Sequence, residues 1–319
     1  MLSIYRKSLI ILIFIASMSA VLLGCGNISK ETTTANKEQA DTQSTRLYTD
    51  YRNHTVAIPI TPKRIIFYGE TFGDLNVLHT PTVGSAYTFY QGAVFEKEGQ
   101  GGVDIGSPID IEKVLSLEPD LIITGDTDDK AYAQLAKIAP TIMFDTFAPM
   151  EERLPALGDI INKKAEADAW IVQYEQKSKQ LWQELHKTVL KPDETATVLT
   201  YYPGNRLFVM LRTGLSQMLY EEGAFKAPPA VQKLLNNGEG FSEISLEALS
   251  DYSADRIFIL NPIDKEAQAS TDKMMENEVW KQIPAVKNGH VYTIKMGESS
   301  SDANTREWLL TKLKTILQP

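Results

Sequence analysis

From residue 55 onward the chain alternates short, almost wholly apolar runs with longer stretches of helical character. Runs of this length read as buried strands, and their alternation with helices predicts an α/β fold with mainly parallel sheet. Thr55-Val56-Ala57-Ile58-Pro59 reads as a first short strand. Residues 64–68, 120–124, 141–144, 197–201, 207–211, 256–260 and 290–294 read as the others. Residues 161–190 contain neither Gly nor Pro and are rich in Ala, Lys, Glu and Gln. Within them Trp170, Tyr174, Leu181 and Leu185 recur at spacings of four and seven, which places them on one helical face. A helix of about 25 residues there is about 38 Å long at about 1.5 Å per residue, suited to a rigid strut between two lobes.

The pattern before residue 55 is different. Arg6 and Lys7 precede an apolar run from Ser8 to Leu23, followed by Gly24 and Cys25. A basic start, an apolar segment and small residues describe a secretory signal, and the run is short for a membrane span. Leu22-Leu23-Gly24-Cys25 resembles the lipobox of bacterial lipoproteins, in which the cysteine is lipidated and becomes the first mature residue. That resemblance implies a signal peptide over 1–24 and lipid attachment at Cys25. Residues 28–45 are polar and almost free of apolar side chains, so 25–45 is expected to be a flexible tether. The folded part is expected to begin near Arg46, with a first lobe over 46–160, a connecting helix over 161–190 and a second lobe over 191–319. No later apolar run is long enough to span a bilayer.

The two lobes are suggested by an internal repeat. Residues 109–123 can be laid on residues 244–258 without a gap, matching Ile109 with Ile244, Glu112 with Glu247, Asp120 with Asp255 and Ile122 with Ile257. Each copy reads as a helix, a turn and a buried strand. Ser107-Pro108 and Ser245-Leu246 read as helix N-caps, which puts Glu112 and Glu247 in or near a first turn, where the helix dipole favours a carboxylate. The same placement also suits two exposed acidic knobs, at matching places on the outer ends of two lobes, that meet a two-fold basic partner.

Composition narrows the chemistry. With 32 Lys and Arg against 41 Asp and Glu, the chain carries a formal charge of -9, which argues against nucleic acid as a partner. A single cysteine excludes a disulfide framework and Cys-x-x-Cys zinc sites. His54, His79, His186 and His290 are dispersed, with no pair at ligand spacing, so direct carriage of a free metal ion is the weaker alternative. There is no Gly-x-Ser-x-Gly elbow, His-Glu-x-x-His motif or phosphate-binding loop, which disfavours a surface hydrolase. An interaction lipoprotein without a small ligand remains a further alternative.

Several elements occur in a telling order: the lipobox, the tether, Pro62-Lys63-Arg64-Ile65-Ile66, the Glu112 block, the long helix, the Glu247 block, and residues 280–292 beginning Trp280-Lys281-Gln282-Ile283-Pro284. Over about residues 61–317 this set resembles the substrate-binding lipoproteins of iron–siderophore ABC importers, a group that also holds cobalamin and haem binders. The resemblance implies two Rossmann-like lobes joined by one long rigid helix, with a ligand cleft between them. It implies a monomer that has no enzymatic activity. It would be anchored by lipid at the outer face of the cytoplasmic membrane and need no cofactor, because iron travels within the siderophore. It also implies that Glu112 and Glu247 dock onto arginines of a membrane permease. Gly297-Glu298-Ser299-Ser300-Ser301-Asp302 departs from relatives, which often carry aromatic or Pro-containing sequence there.

Ligand residues in open α/β sheets sit on loops after the carboxyl ends of strands. Those loops are expected at 69–74, 85–92, 125–130, 202–206 and 212–216. Tyr87, Phe89 and Tyr90 make the second of these unusually aromatic, as a medium-sized organic ligand requires, with core packing the competing reading. Arg212 directly follows an apolar run, about where the resemblance places an arginine that donates to iron-bound hydroxamate oxygens. A surface arginine is the alternative. Arg206 follows the turn signal Pro203-Gly204-Asn205 and so also reads as a hairpin residue. Tyr202 and Trp280 are further candidate liners, Trp280 with core packing as the stronger competitor. Glu70, Asp74, Asp126, Asp128 and Asp129 crowd these loops while bases are few. A ferric hydroxamate is therefore expected over a ferric catecholate, which carries about three negative charges. Haem and cobalamin are the other chelates the group suggests.

Overall fold

The computed structural model describes residues 44–318. The signal peptide, Cys25 and nearly all of the tether lie outside the described residues. The fold begins at Thr45, where β1 (Thr45–Thr49) pairs antiparallel with β2 (Thr55–Pro59). Among the described residues no helix is long and apolar enough to cross a membrane.

Two five-stranded sheets follow. The first is all parallel and contains β3 (Ile65–Tyr68), β4 (Gly84–Ser85), β5 (Val103–Asp104), β6 (Leu121–Thr124) and β7 (Thr141–Met143) in the order β5-β4-β3-β6-β7. Its connections contain α1 (Gly73–Val77), α2 (Glu96–Gly99), α3 (Ile111–Ser116) and α4 (Asp129–Leu135), and α5 (Met150–Ile160) follows β7. Then comes α6 (Lys164–Thr188), 25 residues without interruption. The second sheet contains β8 (Ala196–Tyr202), β9 (Arg206–Met210), β10 (Phe241–Ile244), β11 (Arg256–Asn261) and β12 (Val291–Lys295) in the order β10-β9-β8-β11-β12. Its helices are α7 (Gly214–Leu219), α8 (Pro229–Asn236), α9 (Leu249–Tyr252), α10 (Lys265–Met275), α11 (Glu278–Gln282) and α12 (Pro284–Lys287). The last helix is α13 (Ala303–Leu317).

The two sheets share one winding scheme, each reversing direction between its first strand and its fourth. They differ from the mainly parallel expectation in the second lobe, where β9 runs antiparallel to both β8 and β10. The cause is local: Gly204 (φ 82°) and Asn205 (φ 60°) adopt left-handed backbone, and a loop this short can join only antiparallel strands.

The repeated aspartates have matching structural roles. Asp120, just before β6, accepts the backbone N–H groups of Lys63 (2.7 Å) and Arg64 (2.9 Å), just before β3. Asp255, just before β11, accepts the N–H (2.9 Å) and the hydroxyl (2.8 Å) of Thr195, just before β8. Each carboxylate clasps the first strand of its lobe to the fourth. One expectation is corrected: α3 is capped by Asp110, whose Oδ1 accepts from the amides of Glu112 and Lys113, and not by Ser107. Ser245 does cap its turn, accepting from the Ala248 amide at 3.2 Å, with Glu247 in that turn just ahead of α9.

One apolar cluster runs through both lobes. Phe67, Phe72 and Tyr90 of the first lobe join Val198, Phe258 and Leu260 of the second sheet by way of Tyr174, Leu181 and Leu185 on α6 and Leu309 and Leu313 on α13. The other face of the second sheet packs beneath α8 and α10–α12 in a separate cluster with Leu199, Tyr201, Leu207 and Val209. α13 starts against the first lobe, where Asp74 Oδ1 accepts the Ala303 amide (2.8 Å) and Arg153 donates to the Ser301 carbonyl (2.8 Å). It then follows α6, with Lys314 paired to Glu184 at 2.8 Å. The carboxyl-terminal helix thus belongs to both lobes and not to the second alone.

Candidate functional site

In an open α/β sheet the ligand crevice opens where the winding reverses, beyond the carboxyl ends of the strands. In the first lobe that point lies between β3 and β6, where Gly69 and Glu70 leave one strand and Gly125 and Asp126 the other. Both glycines lie beneath Thr146: a Cβ at Gly125 would stand 2.8 Å from its methyl group. The Thr146 hydroxyl donates to Glu70 Oε1 at 3.0 Å, so Glu70, half-buried, is held at the centre of this edge. Thr71 follows, buried, with no partner for its Oγ1. In the second lobe the matching point lies between β8 and β11, at Tyr202 and Asn261. Asn261 Oδ1 is likewise buried without a partner. The two edges meet: Gly92 of the first lobe contacts Ile263 and Gly297 of the second, and Gly73 lies against Asp302.

Alternation along β9 adds a wall. Arg206, Phe208 and Met210 project to one face. It is the face turned toward the cluster shared by both lobes, against which Met210 packs. Beyond the strand the alternation breaks, because the Leu211 and Arg212 amides both donate to the Gly240 carbonyl. Phe208 stands edge-on to Tyr202 (6.0 Å) and to Phe241 of β10 (6.0 Å), and Phe241 is 62% exposed. Arg206 lies over the Phe208 ring at 4.9 Å and pairs with Glu243 at 3.2 Å. Arg212 is exposed, and one of its nitrogens donates to the Gly238 carbonyl at 2.6 Å.

The structure therefore separates the expected ligand residues. Tyr202 and Arg206 pair at the strand-exit end of β8, whereas Arg212 lies beyond Met210, level with the start of β8 and about 20 Å from Arg206 along the strand at roughly 3.3 Å per residue. Phe89 is half-buried and edge-on to Tyr68 at 5.2 Å on the first-lobe rim. Tyr87 is turned back into its own lobe: its hydroxyl donates to the carbonyls of Gln100 and Gly102. Tyr90 is corrected to a core residue. It is fully buried among Phe72 and Phe95, and burial pushes its hydroxyl pKa well up. Trp280 is also core, 2% exposed beneath the second sheet. Asp74 is not a free crevice acid, since Arg153 holds it at 2.7 Å with both side chains buried. Sequence reasoning missed Phe208 and Phe241 of the wall and Ile263 at the meeting of the two edges. Their signal was available for β9, where Arg206, Phe208 and Met210 alternate with buried Leu207 and Val209.

The remaining acids are partly occupied by local backbone. Asp126 accepts the Asp128 amide, Asp128 caps α4, and Asp145 accepts the amides of Phe147 and Ala148. Glu112 and Glu247 are both exposed at the strand-exit ends of their lobes, and neither forms an ion pair among the described residues. Glu247's own backbone amide, then the Ser245 hydroxyl, lower its carboxyl pKa and keep it ionised. A cavity of about 770 Å³ lies away from the crevice, along α6 beside Glu151, Trp182 and residues 221–223. No three His, Cys, Asp or Glu side chains gather as a metal site among the described residues.

Comparison with known proteins agrees with this architecture. The chain is 28% identical over 286 residues to the iron(3+)-hydroxamate-binding protein FhuD of Bacillus subtilis (strain 168), covering 88% of this chain and 87% of that one. It is also 28% identical over 300 residues to the petrobactin-binding protein YclQ of the same organism, covering 88% and 89%. Among solved structures, the FhuD protein from S. pseudintermedius superposes with a TM-score of 0.74 at 26% identity, covering 86% of this chain and 98% of that one. The model of the periplasmic binding proteins matches residues 95–296, well over half of the chain. The chain therefore belongs to the periplasmic binding protein family, as a binding protein and not an enzyme.

Proposed function

We propose that this protein binds a ferric siderophore of the hydroxamate class outside the cytoplasmic membrane and delivers it to an ABC permease. The observation that carries this reading is the β9 wall. An arginine with further N–H groups to give follows the strand that carries an aromatic surface of Tyr202, Phe208 and Phe241. Charge-assisted donation from Arg212 suits the delocalised oxygens of an iron-bound hydroxamate. Tyr202, Phe208 and Phe241 supply apolar contact for the organic arms. Iron enters as cargo, its coordination filled by the chelator, so the protein supplies no metal ligands. Cys25 would carry the lipid that holds the protein at the membrane, and Glu112 and Glu247 would dock the loaded protein onto basic residues of the permease.

Relatives at the same identity bind different chelates by name, so the ligand class rests on charge. The crevice has several acids and little uncompensated positive charge, which opposes a trianionic catecholate. Fluorescence titration with one ferric hydroxamate and one ferric catecholate tests this. The hydroxamate is expected to bind tighter, and tighter binding of the catecholate would refute the assignment.

A further inference from the structure

The internal repeat fixes which residues stand beside each of the two exposed glutamates, and the two surroundings differ. Laid position on position, Leu115 and Ser116 match Ser250 and Asp251. In α3 Leu115 and Ser116 lie three and four residues beyond Glu112, on the same helical face. Leu115 is 60% exposed and joins none of the apolar clusters among the described residues, whereas Ile109, Ile111, Val114 and Leu117 around it all pack into the first lobe. Pro108, just ahead of the helix, is exposed as well. Lys113 is drawn back, its Nζ donating to the Asp104 carbonyl at 3.1 Å. Glu112 is thus a single carboxylate beside an uncharged and partly apolar surface. The turn that carries Glu247 runs on into α9, where Ser250 and Asp251 are exposed. Its exposed neighbours in the chain, Glu243, Ser245, Ser250 and Asp251, are all polar, and Glu243 is already paired with Arg206 at 3.2 Å. The matched unit folds with serine where the first lobe has Leu115, so the fold itself does not call for a leucine there. A single exposed leucine is ordinary on a protein surface. One that stands a helical turn from an acidic docking residue is placed to be covered in the docked complex, where its contact persists in salt that screens charge.

Resting on the docking role proposed for Glu112 and Glu247, we infer that the two lobes dock by unlike contacts. Leu115 enters an apolar hollow beside the basic residue that meets Glu112. Glu247 and Asp251 together meet a polar and more strongly basic site. The permease surface therefore presents two unlike sites, and the protein sits on it in one orientation only. Charge complementarity attracts both lobes, and the leucine tells the two sites apart.

The test is uptake of a ferric trihydroxamate labelled with radioactive iron, by cells that carry the full chain at equal surface amounts. The chain is the parent, Leu115→Ser, Ser250→Leu or the two together, each change installing the residue found at the matched place of the other lobe. Leu115→Ser is expected to lower the initial uptake rate about tenfold, as loss of a covered leucine does. Ser250→Leu is expected to lower it at least about threefold, because a polar site offers no hollow, and the double variant is expected to stay as slow as Leu115→Ser. Ligand affinity of the purified variants is expected to stay within about twofold of the parent, since both positions are exposed and away from the crevice. Uptake by Leu115→Ser within about twofold of the parent, undiminished uptake by Ser250→Leu, or recovery of the rate in the double variant would overturn the inference. If Glu112→Ala, Glu247→Ala loses uptake while Leu115→Ser keeps it, this inference alone falls. If both keep it, the docking role falls as well.

Discussion

Arg206 opens β9 and Arg212 follows its last residue, and their surroundings set them apart. Arg206 is exposed, paired with Glu243 and laid on Phe208, so a ligand would have to displace an existing partner. Arg212 is exposed and gives one N–H to Gly238, so a ligand would displace no ion-pair partner. Arg212→Ala is therefore expected to weaken ferric hydroxamate binding about 10- to 100-fold, and Arg206→Ala by no more than about threefold. Titration of both variants checks this, and equal losses would contradict it. Asp302 gives a prediction of another kind. Burial first, and then the nearby Asp74 carboxylate, push its pKa up to about 7, against the bonds from Thr305 and the charge of Arg153. An unfolded chain ionises the same group near 3.8. Between these values the unfolded chain releases a proton that the native protein keeps. Stability accordingly declines as pH rises from about 4 to about 7 and levels off above. Asp302→Asn keeps an oxygen that can accept from the Thr305 amide, and it should flatten that decline in Tm. An unchanged slope would contradict the assignment. At this scale the sequence was least legible. Tyr87, Phe89 and Tyr90 sit within four positions of one another, and only packing tells the stapled tyrosine and the rim phenylalanine from the core tyrosine.

At the scale of elements the strands with compact apolar runs, and the Gly- and Pro-free helix, were legible because burial on both faces and unbroken periodicity leave marks in sequence. β4 and β5, two residues each, leave no such mark, and β10 is an edge strand of mixed exposure. The repeat was visible, but its aspartates turned out to join strands. Burial would raise the pKa of Asp255, yet the amide and hydroxyl of Thr195 pull it below the ordinary carboxylate range. Asp255→Ala removes the acceptor for both groups and is expected to cost about 1–3 kcal/mol in chemical denaturation. A loss below about 0.5 kcal/mol would show that the clasp is ornamental.

Across the whole molecule, α6 and α13 tie both lobes into one apolar cluster, which favours modest closure over a wide hinge motion. The boundary drawn from sequence missed this. Nothing in an amphipathic terminal segment announces that its first turn is capped from the other lobe, as it is by Asp74. The matching exposure of Glu112 and Glu247 on the two lobes fits a partner with paired basic sites. The double variant Glu112→Ala, Glu247→Ala is expected to bind ligand within about twofold of the parent and to lose iron uptake in cells, because exposed charges on the lobe tips act on docking and not on the crevice. Normal uptake by this variant would reject the docking role.

The central claim is that the crevice recognises an iron-loaded hydroxamate. The most direct test is titration of the protein with one hydroxamate siderophore in its ferric and iron-free forms. The account predicts saturable one-to-one binding of the ferric form, at least about tenfold tighter than the iron-free form, since iron gathers the hydroxamate oxygens into one preorganised face for an arginine to meet. Equal binding of the two forms, or saturable binding of neither, would contradict it.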